Sequence, residues 1–133
     1  MQGVEVNTAG WLRAEAEVET VEVQLTYDPM DPFAVRVDIS GSARQRTWIF
    51  GRDLLADGLR SMMPLGDGCV LVQATSVLTE ISYVEETGES VVLRLPWWNT
   101  REFVRLSQVE VPRGEESCDV DAWVAALTAP QEP

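Results

Sequence analysis

Apolar and acidic residues alternate without a break through Ala14-Glu15-Ala16-Glu17-Val18-Glu19. A period of two fits a strand with one dry and one wet face and does not fit a helix. Beyond Thr20 the apolar set moves to Val21, Val23 and Leu25. A one-residue slip would turn the core face outward, so the spacing predicts a bulge or bend near Glu19-Thr20. The alternating glutamates also guard a strand edge against other chains. Val35, Val37 and Ile39 alternate in the same way, and Arg46 to Phe50 is β-branched and aromatic. Cys69 to Val72 and Val77 to Val84 read as further strands. The second of these is joined to Ser90–Leu95 through Glu85–Glu89, with Gly88 at a positive φ.

Between these strands, Tyr27-Asp28-Pro29-Met30-Asp31-Pro32-Phe33 carries two Asp-Pro pairs and reads as a connection. The period changes after Gly51. Leu54, Leu55, Gly58 and Leu59 fall at helical spacing, which predicts a short amphipathic helix from Arg52 to Ser61 with Asp53 in its first turn. Pro96 opens a second helix, with Phe103, Val104 and Ser107 on one face. Ser117 or Asp119 caps a third, striped by Val120, Trp123, Val124 and Leu127. This order predicts an α+β protein of antiparallel β-sheets packed with three helices. A single domain is expected over residues 1–129, with residues 130–133 a frayed tail.

Charge narrows the chemistry. Among 133 residues, 22 are acidic and 10 basic, a net charge of -12, and every basic residue is Arg. With no His in the chain, no imidazole can serve as catalytic base, metal ligand or proton shuttle. A surface this acidic repels phosphate backbones and anionic lipid. Cys69 and Cys118 are too few for a disulfide scaffold; Cys69 is expected to pack inertly in a strand, and both are expected to be reduced. The chain opens without a signal-peptide pattern, and its apolar runs fall far short of the roughly 20 residues that cross a bilayer. A cytoplasmic protein is expected.

Few residues look chemically active. Asp53 and Asp57 share a helix face, but Asp in a first turn is favoured by the dipole alone. Asp28 and Asp31 are explained by turn formation, since no far-end Glu completes a calcium loop. Gly66-Asp67-Gly68 is too short for a phosphate loop. No catalytic residue, metal or cofactor is indicated. Trp97-Trp98 is different, because neighbouring helix positions diverge, leaving one indole inward and the other free to meet a partner. Arg101 and Arg105, one turn apart, form a thin basic patch beside them.

Two blocks carry a resemblance. Tyr27-Asp28-Pro29-x-Asp31-Pro32-Phe33-Ala34-Val35 and Trp48-x-Phe50-x-Arg52-Asp53-Leu54-Leu55-Ala56-Asp57-Gly58-Leu59 closely resemble the signature of the SsgA-like proteins, actinobacterial sporulation and cell-division proteins. Gly66-x-Gly68, Gly88-Glu89, Pro96 before Phe103-Val104, Val111-Pro112-x-Gly114-Glu115 and Asp119-x-Asp121 follow in the family's order. Cys69, Gln73-Ala74, Trp97-Trp98-Asn99 and Ser107 depart from the pattern and leave the subtype open.

The resemblance implies a non-enzymatic adaptor, concentrated at the sporulation septum, that recruits division proteins such as the tubulin-like FtsZ or another SsgA-like protein. It also implies a fold similar to the whirly type and a ring-like homo-oligomer, a trimer. The alternative, by fold analogy, is a single-stranded nucleic-acid binder, which the net charge opposes. The surfaces expected to meet partners are Trp97, Trp98, Arg101 and Arg105, together with the loop bearing Tyr27, Asp28, Asp31 and Phe33. Trp48 or Phe50 is expected to anchor the first helix to the sheet. Arg52 is expected to pair with Asp28 or Asp31.

Overall fold

The computed structural model describes residues 2–41, 44–66 and 68–117. Seven strands form one antiparallel sheet in the order β4-β3-β2-β1-β7-β6-β5. They are β1 (Val4–Ala14), β2 (Glu17–Tyr27), β3 (Ala34–Ser40), β4 (Gln45–Gly51), β5 (Val70–Thr75), β6 (Leu78–Val84) and β7 (Ser90–Pro96). Helix α1 (Arg52–Gly58) follows β4, and α2 (Trp97–Glu110) follows β7. The α+β class is as expected, with one sheet in place of several. Two helices lie among the described residues; the third expected helix and the tail fall outside them.

The predicted bulge does not form. β1 and β2 pair in unbroken register from Val4↔Tyr27 to Ala14↔Glu17. The alternating run is instead cut by a two-residue hairpin loop at Glu15-Ala16, with Glu15 at φ 56°. The apparent slip arises because Ala16 lies in that loop and Val18 lies on the wet face, 62% exposed. From Val21 onward the odd positions of β2 point inward, so Val21, Val23, Leu25 and Tyr27 are buried. Val35, Val37 and Ile39 are buried as expected, and Gly88 adopts φ 86° in the β6–β7 loop.

β1 pairs with β2 along its whole length but with β7 only from Trp11 to Ala14. The sheet curls on itself, since side chains of β4 and β6 meet. Its inner face then encloses a core that includes Leu25, Val37, Trp48, Val72, Ile81 and Leu93. The curl brings β4 to β6, which are not sheet neighbours: Trp48 stacks on Tyr83 with ring centroids 4.8 Å apart and planes 2° from parallel. Glu85, beyond the end of β6, accepts hydrogen bonds from Trp48 Nε1 at 3.1 Å and from Arg46 and Arg44. Trp48 thus ties two parts of the sheet together.

Seven residues are too few for an autonomous helix, so tertiary contacts hold α1 in place. Leu55 and Leu59 are buried, and a Cβ at Gly58 would overlap the Val72 side chain of β5. Pro96 ends β7 and sits just ahead of α2, where the Trp97 N–H donates to the Val77 carbonyl. Phe103, Val104 and Ser107 face the core, as the spacing predicts. No helix among the described residues is long and apolar enough to cross a membrane. Cys69 is exposed just ahead of β5, not packed within a strand; Cys118 lies outside the described residues.

Candidate partner surface

The residues expected to form a surface divide between two regions. Tyr27 is fully buried, because the inward periodicity of β2 reaches its last residue. Its hydroxyl donates to the Pro32 carbonyl at 3.0 Å, and burial pushes its pKa up. Asp28 serves the turn, with its carboxylate accepting the Met30 N–H at 2.9 Å. Asp28 and Asp31 are exposed, and Phe33 is 53% exposed, so this loop keeps part of its expected surface. Trp97, Trp98 and Arg101 lie at the opposite end of α2. Fourteen residues, about 20 Å of helix, separate the two ends.

Arg52 does not pair with Asp28 or Asp31. Its side chain runs inward beneath the end of α2, and the residue is 0% exposed. Nη1 donates to the carbonyls of Ser107 at 3.0 Å and Val111 at 2.7 Å, and Nη2 donates to Glu116 at 2.9 Å. The guanidinium carbon lies 4.7 Å from the centroid of the Tyr27 ring. The carbonyl end of a helix is a natural receptor for a cation, and the Ser107 carbonyl here accepts the Val111 N–H as well. The bonded guanidinium in turn holds the Glu116 carboxyl below its usual range. This clasp fastens the start of α1, the end of α2 and the segment after it.

A second bridge reinforces the first. Arg113 meets Asp57 with both amino groups, at 2.7 and 3.0 Å, and approaches Asp53 at 3.3 Å. The hydrogen bonds from Arg113 lower the Asp57 pKa. The one-turn spacing of Asp53 and Asp57 therefore makes a seat for an arginine. Their shared face was readable from spacing; their partner, 56 residues away, carried no local signal. Trp48, Phe50, Leu55, Gly58 and Leu59 are buried and Leu54 is partly so, leaving Asp53 and Asp57 as the exposed members of that block.

At its N-terminal end α2 separates the two indoles as expected. Trp97 is half-buried and donates its Nε1–H to the Leu59 carbonyl at 2.9 Å, which joins α2 to the end of α1. Trp98 is 66% exposed and meets Trp97 edge-on, with centroids 5.1 Å apart. The Arg101 guanidinium lies 5.7 Å from the Trp97 ring and 5.6 Å from the Trp98 ring. Arg105 is bound by Glu102 through two hydrogen bonds, so the expected Arg101–Arg105 patch is reduced to Arg101 on this helix. Arg60, a residue no motif marked, lines the same groove between α1 and α2, which has a volume of about 320 Å³.

No group of three or more His, Cys, Asp or Glu among the described residues is arranged to hold a metal ion. The arrangement presents aromatic and cationic side chains to solvent on a fixed helix pair, which suits recognition of another molecule.

The family described as Streptomyces sporulation and cell division protein, SsgA, matches residues 21–116. A sporulation-specific cell division protein of Frankia casuarinae is 34% identical over 116 residues, covering 84% of this chain and 77% of that protein. The sporulation-specific cell division protein SsgB of Salinispora tropica is 33% identical, covering 95% and 93%. Among solved structures, one from a study of SsgB mutations and longitudinal cell division in Streptomyces coelicolor superposes with a TM-score of 0.70 at 30% identity, over 87% of this chain and 95% of that one. An SsgA-like sporulation-specific cell division protein from Thermobifida fusca shares the fold, with a TM-score of 0.79 at 23% identity over 95% and 96%.

Proposed function

The chain belongs to the SsgA family of sporulation and cell division proteins, and on that premise we propose that it is a non-enzymatic adaptor that positions septation machinery at sporulation septa. The observation that carries this reading is the family match over residues 21–116, which takes in both helices and the exposed end of α2. A catalytic role is disfavoured by a chain without His. The partner is a division protein, with FtsZ or another SsgA-like protein as candidates. The adaptor works as a homo-oligomer, a trimer, in the cytoplasm next to the septum.

A fluorescent fusion imaged in sporulating cells tests the reading. Bands at future septa are expected, with division proteins recovered on pulldown; an even cytosolic signal during septation overturns it. Light scattering of purified protein checks the trimer by mass. Single-stranded nucleic-acid binding is the second reading. It is favoured by the Arg101–Trp98 pair, since exposed aromatics and guanidiniums can stack on bases. The net charge of -12 weighs against it.

A further inference from the structure

We propose that the groove between α1 and α2 receives an acidic, partly apolar segment of a partner polypeptide, its carboxylate held between Arg60 and Arg101 and an apolar side chain laid on Trp98. This deepens the adaptor reading and rests on it for the identity of the partner as a protein.

Arginine pairing supplies the first argument. In a chain with 22 carboxylates and 10 guanidiniums, a guanidinium has many possible partners. Among the described residues Arg36, Arg44, Arg46, Arg52, Arg94, Arg105 and Arg113 each form an ion pair. Arg13, Arg60 and Arg101 do not. Two of these three line one groove together with Trp97: Arg60 follows Leu59, whose carbonyl accepts the Trp97 indole N–H, and Arg101 lies over the Trp97 ring. Arg105 and Arg113 line the same groove, but Glu102 and Asp57 already hold them. Among the described residues Arg60 and Arg101 are thus the groove's guanidiniums bonded to no carboxylate, although Asp57 and Glu102 lie near enough to feel them, and their planar forks suit one.

Surrounding apolar surface supplies the second. Ser61 accepts the Ala74 N–H and Val77 accepts the Trp97 N–H, which places the Met62-Met63 loop, the β5–β6 turn and the start of α2 at one end of the molecule. Met62, Met63, Val77 and Trp98 are all exposed there. Methionine and indole side chains adapt to an apolar partner, while the arginines select its charge. The chain's remaining acidity does not forbid the contact. Charges beyond about 8 Å are largely screened at physiological ionic strength, so the groove's own groups decide the interaction.

The test uses three probes with the full chain at physiological salt, followed by Trp fluorescence and calorimetry. One is a synthetic peptide mixing Glu with Leu and Phe, the second is the same peptide with Gln for Glu, and the third is single-stranded oligothymidine. The Glu peptide is expected to bind about tenfold more tightly than the Gln peptide. R60Q and R101Q should each lose roughly threefold to fivefold, the range of a solvent-facing ion pair, with an unchanged melting temperature. R36Q, on β3, should bind as the parent does. Equal binding of the two peptides, indifference to R60Q and R101Q, or preference for oligothymidine overturns the proposal. A fusion that reaches septa while the Glu peptide fails to bind refutes the groove alone. Peptide binding with an evenly spread fusion supports the groove and refutes the septal role.

Discussion

At the C-terminal end of α2 the Arg52 guanidinium is enclosed, with two carbonyls, a carboxylate and a phenol ring around it. At the N-terminal end Arg101 rests on two indoles and has no carboxylate partner among the described residues. The same side chain therefore serves opposite ends. Burying Arg52 removes its hydration, so it must be satisfied internally, and even so its Nε finds no hydrogen-bond partner among the described residues. Arg101 keeps its hydration and loses little by waiting. A fixed clasp at one end of the helix allows an available cation at the other.

The largest effect expected is on the clasp. R52A should lower stability by about 3–5 kcal/mol, because the buried Glu116 carboxylate and the Val111 carbonyl lose the Arg52 donor together, while the Ser107 carbonyl keeps only the Val111 N–H. Urea denaturation measures it, and a loss below about 1 kcal/mol, within the usual range for an exposed pair, would erase the contrast between the two ends. E116Q should cost about 1.5–3 kcal/mol at neutral pH. The folded pKa of Glu116 lies below its ordinary 4.5, so its contribution is complete above that value and fades as pH falls through the folded pKa. Parent and E116Q should therefore converge in stability on acidification, and a gap that stays constant below pH 4.5 would refute the pairing. R113A should cost about 0.2–1 kcal/mol, since that bridge is half-exposed. R101A and W98A should change stability by less than about 0.5 kcal/mol while altering partner binding. A stability loss as large as that of R52A would mean that both ends of α2 are structural.

Legibility in the sequence followed the range of the interactions. Period-two alternation placed Val35, Val37 and Ile39 inward because a strand's faces are set by its own residues. Helical spacing found the buried Leu55 and Leu59 and the inward Phe103 and Val104 for the same reason. Ala14 to Glu19 misled because a two-residue turn of ordinary residues, with no Gly or Asn, interrupts a pattern that continues in phase across it. The partner of Arg52 lies 64 residues away, and the acidic loop chosen for it was merely nearer in sequence. Asp28 accepts the Met30 N–H and Asp31 stays exposed at the surface while the guanidinium goes inward beneath α2. Trp98 was legible because adjacent helix positions must diverge. Arg60 was not, because its significance comes from α2 lying alongside it.

The four-residue ladder between β1 and β7 leaves the sheet as two leaves joined by a narrow spine. Few backbone bonds would resist a change in the angle between those leaves. That angle is instead latched from across the fold by the Trp48–Tyr83 stack and the acceptor Glu85. Loosening the latch would let the leaves breathe without unravelling either one, so the molecule's stiffness can be tuned by a few side chains far from the spine itself.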